Sequence, residues 1–182
     1  MPTDLEKQVQ NLQDQLNQLK STQAKDQISI IVFSGDLDKI LASMIIATGA
    51  RAMDIEVKMF FTFWGTTMLR DKNKTVKGKD FMSKMFGFML PKGSSQLKLS
   101  KLNMSGMGTA MLKGLRKKKN VASLEEMIKT AGELGVHINI CQMSMDLMGF
   151  KKEEMIDYPN LTYCGVGTYL SDAGESRIQL FI

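Results

Sequence analysis

Ile28-Ser29-Ile30-Ile31-Val32-Phe33, then Ser34-Gly35-Asp36, then Leu37, Ile40, Leu41, Met44, Ile45 and Thr48 at helical spacing, decide how this chain folds. The first run is nearly continuous in β-branched residues, the pattern of a strand buried on both faces in a parallel sheet. Ser34-Gly35-Asp36 is a turn, with Asp36 where a helix N-cap is expected. The helical spacing runs on to Met53, and Ile55 to Thr62 reads as a second strand. Strand, turn, helix, strand is the opening of an open α/β sheet.

The rhythm continues further along. Ser123 and Glu126 have capping-box spacing and start a helix to Leu134, with Gly135 as its natural stop. Val136 to Cys141 is the third strand. Short helices are expected near Ser144 to Met148 and Lys151 to Ile156. Leu161 to Cys164 is the fourth strand, Gly165 to Ala173 a helix stopped by Gly174, and Arg177 to Ile182 a fifth strand that closes the chain in the core. The fold class is therefore α/β, with five mainly parallel strands and flanking helices.

Two segments stand apart from this rhythm. Between the second and third strands, residues 70–119 read as a helical insertion. It contains a helical Phe81 to Leu90 segment stopped by Pro91-Lys92-Gly93, and a helix ending in Arg116-Lys117-Lys118-Lys119. Ahead of the sheet, residues 1–25 read as a coiled-coil-like helix, leaving 26–182 as the α/β domain. Leu5, Val9, Leu12, Leu16 and Leu19 step by 4, 3, 4, 3, the rhythm of a heptad seam, and Thr3 and Glu6 have capping-box spacing. About two and a half heptads is marginal for a helix on its own. Self-association and packing onto the same chain both remain open.

A length of 182 residues suits one ordinary domain, and 43% hydrophobic with 24% charged residues is the balance of a soluble globular protein. No charged and apolar leader opens the chain. The longest apolar stretch, Ile40 to Ala50, is far short of the roughly 20 residues of a membrane helix. Two cysteines make no disulfide framework, so a reducing cytoplasm is the expected location. The net charge of +5 is uneven. Residues 70–119 carry fourteen Lys/Arg against Asp71 and Asp80, a net +12, which leaves −7 for the remainder. That argues for a local basic face. Lys72 to Lys79 is expected to be a solvated loop.

Chemistry gathers where strands end in α/β sheets. Cys141 ends the third strand, just before Gln142-Met143-Ser144-Met145-Asp146, with Ser144 and Asp146 as candidate caps. The N–H groups of a helix start favour a thiolate, whereas a nearby Asp146 carboxylate disfavours it. A reactive thiol and an inert core thiol both fit. Cys164 ends the fourth strand; if the two strands are neighbours, both thiols lie on one sheet edge, where they can exchange sulfur or form a transient disulfide. Their spacing is not that of a zinc site, so no metal and no cofactor is expected. His137, about 13 Å from Cys141 along an extended strand, cannot be its base and reads as structural. Ser34-Gly35-Asp36 with Lys39 lacks both phosphate-loop spacings.

Sixteen methionines are unusual, and ten fall at 82, 85, 89, 104, 107, 111, 143, 145, 148 and 155. With Phe60, Phe61, Phe63, Trp64, Phe81, Phe86 and Phe88 they suit a core, a subunit interface or an apolar partner groove. A basic rim beside them suits an anionic sulfur species, an acidic partner protein or, less well, a membrane surface. Basic and aromatic residues do not interleave as in single-strand nucleic-acid binders.

Ser34-Gly35-Asp36 with Lys39, Phe60-Phe61-Thr62-Phe63-Trp64-Gly65, Met85-Phe86-Gly87 with Leu90-Pro91, Leu99 to Met104, and Cys141-Gln142-Met143-Ser144-Met145-Asp146-Leu147-Met148-Gly149 together resemble the DsrE/DsrF-like family. They are most similar to its branch with a Met-rich insertion, and the likeness runs from about Gln27 to Ile182. The resemblance implies a flavodoxin-like sheet, homo-oligomers (trimers or hexamers) and sulfur relay, in which a cysteine takes sulfane sulfur as a persulfide and passes it to another thiol. Cys141 matches the family cysteine. Ser34, Gly35, Asp36, Lys39, Trp64, Met143, Ser144 and Asp146 fall in the same blocks as supporting positions. Cys164 matches no family motif, and the Thr-x-x-Cys motif of peroxiredoxins is absent. The expected function is a sulfur carrier or sulfurtransferase working with donor and acceptor proteins or small persulfides. The alternative is a non-catalytic module that binds a partner or ligand through the Met/Phe-rich insertion.

Overall fold

In a computed structural model, residues 4–76 and 78–182 are described, with side chains except those of residues 19–22. Thr3, Lys77 and the side chain of Leu19 therefore lie outside the described part. Five strands form one sheet in the order β4-β3-β2-β1-β5: β1 (Lys25–Val32), β2 (Glu56–Phe61), β3 (His137–Cys141), β4 (Leu161–Cys164) and β5 (Ser176–Phe181). Every neighbouring pair is parallel.

The order follows from the handedness of parallel crossovers. From β1 the chain steps to β2, β3 and β4 in one direction, through α2 (Leu37–Ala52) and then α5 (Leu124–Glu133). After β4 it passes through α7 (Val166–Glu175) and returns past β1 to lay β5 at the far edge. Right-handed crossovers in opposite directions put α7 on the face opposite α2 and α5. Alternation does the rest. Ile28, Ile30 and Val32, Val57, Met59 and Phe61, and Ile138 and Ile140 point to the α2/α5 face and make the main core, each 5% exposed or less. Phe60 and Cys141 are equally buried but lie on the α7 face, outside that core.

Several expectations are corrected. The fifth strand is an edge strand with Arg177, Ile178, Gln179 and Phe181 exposed, because α7 returns it outside β1. Gly174 lies inside α7, and the helix gives way directly to β5 at Ser176. Lys151 to Ile156 holds only a 3₁₀ turn, Lys152–Glu154. The capping box of Ser123 and Glu126 on α5 is present as read.

After β2 comes a 3₁₀ turn (Phe63–Leu69), and the insertion that follows it holds α3 (Phe81–Met89) and α4 (Met107–Lys118). It is clamped by two buried cations. Arg70, 2% exposed, donates to Gly87, Leu90 and Pro91 carbonyls at 3.1 to 3.2 Å and stacks 4.5 Å over the Phe150 ring. A cation at these carbonyls offsets the negative end of α3. Lys79 forms an ion pair with Glu154, both side chains nearly buried, so the loop from Lys72 to Lys79 is not wholly solvated. Ahead of the sheet, α1 (Asp4–Thr22) leaves Leu5, Val9, Leu12 and Leu16 at least 47% exposed.

Candidate functional site

The connection after β3 starts with α6 (Gln142–Met148), which sends Met145 and Met148 into the core on the α2/α5 side, joined by Phe150 just past its end. The connection after β4 is α7, on the other side. Adjacent strands whose connections leave to opposite faces create the crevice where open α/β sheets bind ligands. Cys141 and Cys164 end the two strands that flank it. They are register partners in the β3–β4 ladder. Registered residues of neighbouring strands point to the same face, so both thiols look toward the α7 side. Both cysteines are free, Cys141 buried at 3% exposure and Cys164 half-buried.

Cys141 itself holds the N-cap position of α6. The first N–H groups of that helix have no carbonyl partner within it. The sequence placed Ser144 and Asp146 as caps, and neither is one. Ser144 is inside the helix with its hydroxyl 2.8 Å from that of Thr62, which fixes α6 against the end of β2. Asp146 is exposed further along the same helix. Gly149 ends α6 in a left-handed conformation at φ 66°, and a Cβ there would lie 2.0 Å from the Ser83 hydroxyl, so α3 packs on this turn. Met143 and Leu147, the outward residues of α6, are about 60% exposed.

Below the thiols, on the same face, lies a polar chain that the sequence did not reveal. Asp172 of α7 accepts from Lys58 at 2.8 Å and from the Asn139 amide at 3.2 Å, and Asn139 accepts from Thr162. Asn139 and Thr162 are the register pair two residues before Cys141 and Cys164. Tyr169 packs on Phe60, ring centroids 5.5 Å apart, and fixes α7 over this face. Burial pushes the Cys164 thiol up; the Thr168 hydrogen bond opposes the shift, and Cys141 and Asp172 add to it. The one available signal was the alternation of His137, Asn139 and Cys141 with Ile138 and Ile140. Asp172 and Lys58 come from distant segments and carry no local signal.

The other expected site residues form a separate group at the end of β1. Asp36 occupies the N-cap of α2, but its side chain does not cap. Instead its carboxylate accepts from the Ser34 hydroxyl at 2.8 Å and pairs with Lys39 at 3.2 Å. A Cβ on Gly35 would lie 2.8 Å from the Trp64 carbonyl, so the 3₁₀ turn sits directly on this loop. Trp64 is 44% exposed, and Phe33 packs on Phe63 and Phe181. β2 stands between β1 and β3, so this group is roughly 10 Å from the thiols by strand spacing. Both groups share the sheet's C-terminal edge without converging. His137 is exposed at the opposite end of β3 from Cys141.

A separate cleft of about 500 Å³ lies between the Pro91 to Ser95 loop, α5 and residues 156–159, lined by Met68, Ile128 and Tyr158 with Lys72, Lys92 and Glu133 at its rim. Neither cysteine lines it. Among the described residues, no cluster of three His, Cys, Asp or Glu side chains could hold a metal ion, and no helix is long and apolar enough to cross a membrane.

The model of the DsrE/DsrF/DrsH-like family matches residues 24–181. The chain belongs to that family. Two relatives agree with this. YrkE of Bacillus subtilis, an uncharacterized protein, is 45% identical over 161 residues, covering 88% of this chain and 99% of YrkE. The sulfur carrier protein DsrE2 of Allochromatium vinosum is 37% identical over 158 residues, covering 85% of this chain and 97% of DsrE2. The crystal structure of the ychN protein from E. coli overlays with a TM-score of 0.53 at 11% identity, covering 86% of this chain and 98% of that one, a likeness of fold. The family membership and the flavodoxin-like sheet expected from the sequence are thus both found. The family match begins at residue 24, after the end of α1 at Thr22.

Proposed function

We propose that this DsrE-like protein carries sulfane sulfur as a persulfide on Cys141. The observation that carries the reading is the place of Cys141, at the end of β3 in the sheet's ligand crevice and at the N-cap of α6. The 37% identity with a protein named as a sulfur carrier supports it. In the proposed step, the Cys141 thiolate attacks the outer sulfur of a persulfide donor. A Cys141–S–SH forms and the donor thiolate leaves. An acceptor thiolate then attacks the outer sulfur and regenerates Cys141. Thiolate exchange needs no metal and no general-base histidine.

Cys141 is only 3% exposed, and the two residues that follow it, Gln142 and Met143, are exposed. A small displacement of the first turn of α6 therefore opens the thiol to a donor. The supporting roles of Ser34, Gly35, Asp36, Lys39 and Trp64 are, in this reading, to shape the neighbouring part of the edge. Ser144 holds α6, and Met143 faces the donor. The protein acts in the cytoplasm, where a free thiol persists, and assembles with itself as a trimer or hexamer.

A second reading rests on α3. That helix buries none of its residues, and Phe81, Met82, Phe88 and Met89 are more than half exposed beside Met143 and Leu147 of α6. Here the apolar face binds a partner protein and Cys141 is a core thiol. Mass spectrometry after polysulfide treatment separates the two. The carrier reading expects one added sulfur on Cys141, absent in Cys141→Ala. A folded protein with no adduct, whose Cys141 also resists alkylation, leaves only the partner-binding module.

A further inference from the structure

Cys164 is a half-buried nucleophile that the carrier reading leaves unused. Its Cα is the register partner of Cys141 across the β3–β4 ladder. Neighbouring strands lie about 4.7–4.9 Å apart, within the Cα separation of roughly 4.4–6.8 Å that disulfides span. The two side chains also point to one face of the sheet. A thiol held this close reaches the inner sulfur of whatever Cys141 carries, without waiting for a partner protein.

We propose that Cys164 is a resolving thiol that discharges the Cys141 persulfide as sulfide when no acceptor takes it. This rests on the carrier reading above. Cys164, as thiolate, attacks the inner Sγ of Cys141–S–SH. The Cys141 Sγ to Cys164 Sγ bond forms, the bond between the two sulfurs of the persulfide breaks, and HS⁻ leaves with the electron pair. The sulfane sulfur is reduced to sulfide, the two cysteines are oxidised to a disulfide, and the Cys164 proton passes to solvent. No outside oxidant is needed. A dithiol reductant restores both thiols for another cycle.

The environment of Cys164 sets the tempo. Burial pushes its pKa above the ordinary 9.0, with Cys141 and Asp172 acting in the same direction, so less thiolate is present at a given pH than in a free cysteine. The half-exposed thiol therefore stays quiet while an acceptor has time to act, and discharge speeds up as pH rises. Thr168, which donates toward the Cys164 sulfur in its thiolate form, opposes this restraint.

The test uses the full chain, reduced, loaded with a limiting amount of inorganic polysulfide and rapidly desalted. Free sulfide is then followed together with intact mass and a non-reducing peptide map. The expected result is that the sulfur adduct on Cys141 decays as sulfide appears, one sulfide for each Cys141–Cys164 cross-link. In Cys164→Ser the adduct persists, with neither sulfide nor cross-link. Equal decay in both proteins, or sulfide without the cross-link, overturns the proposal and leaves the carrier intact. No adduct in Cys164→Ser removes the carrier reading and this proposal with it. Diamide oxidation checks the geometry without any sulfur donor. Failure to form the Cys141–Cys164 bridge in the folded chain overturns the proposal whatever the loading shows.

Discussion

Thr62 and Ser144 place their hydroxyls 2.8 Å apart, joining the end of β2 to the helix whose N-cap is Cys141. Ser144 is wholly buried. Ser144→Ala leaves the half-buried Thr62 hydroxyl without this partner, a cost of about 0.5–1.5 kcal/mol. The expected outcome is a lower melting temperature together with faster alkylation of Cys141, because α6 loses a tether one turn from the thiol. Faster alkylation is the telling part. If melting falls and alkylation does not change, the bond stabilises the fold without controlling access to Cys141.

The ion pair of Lys79 and Glu154 joins the basic insertion to the turn after α6, with both side chains nearly buried. Glu154 also accepts from the Lys151 backbone at 3.1 Å, so it is held whether or not Lys79 is present. Lys79→Met therefore strands a buried carboxylate and is expected to destabilise by about 3–5 kcal/mol. Replacing both, Lys79→Met with Glu154→Met, is expected to recover part of that loss: the stranded carboxylate is gone, while buried Arg70, which also feels Glu154, keeps its three carbonyl acceptors. Urea unfolding of the single and double variants measures both. Equal losses in the two would mean that the packing, not the charge, is at stake.

Much of the fold was legible because local signals agreed with the tertiary solution. The β-branched run at Ile28 to Phe33, the capping box at Ser123 and Glu126, and the turn at Gly135 all have local causes, and their elements appear close to where they are read, although β1 begins three residues earlier, at Lys25. The misreadings come from long-range packing. Arg177 to Ile182 has the composition of a core strand, but the reversal after β4 makes it an edge. Lys79 looks like part of a solvated run, and it is buried by Glu154 and the Phe150 ring, both brought in from after α6. At the candidate site, both strand-end thiols could be named from the sequence. That they are register partners could not, because it depends on which strands pair and with what offset. Nor could the sequence show that Asp36 spends its carboxylate on Ser34 and Lys39 and leaves the cap unmade.

Burial raises the Cys164 thiol above its ordinary value of 9.0. A group whose folded pKa is raised stabilises the fold while it is protonated. That contribution is complete below the unfolded value and is lost as pH rises through the folded one. Two measurements follow. Alkylation of Cys164 in the native protein is expected to rise with pH along a curve displaced upward from that of the urea-unfolded chain. Cys164→Ser is expected to lose less stability than wild type between pH 8 and pH 11, read as the difference in urea midpoint. Coincident alkylation curves would remove the restraint on this thiol.

The apolar seam of α1 points away from the rest of the chain. Leu5, Val9, Leu12 and Leu16 are exposed at 47 to 70%, and the seam repeats at the heptad spacing that another helix fills. A single 19-residue helix of this composition is marginal in water, and burying each exposed Leu adds roughly 1.5–3 kcal/mol. A second copy supplies the same seam, so α1 is expected to strengthen self-association. Sedimentation of Leu12→Glu with Leu16→Glu, compared with the intact chain, should show a smaller assembly or a weaker dissociation constant. Its far-ultraviolet dichroism should also lose the helical signal of α1, because charges in the seam remove what holds that helix. An unchanged mass with unchanged helicity would place self-association wholly in the α/β unit and leave α1 stable without a partner.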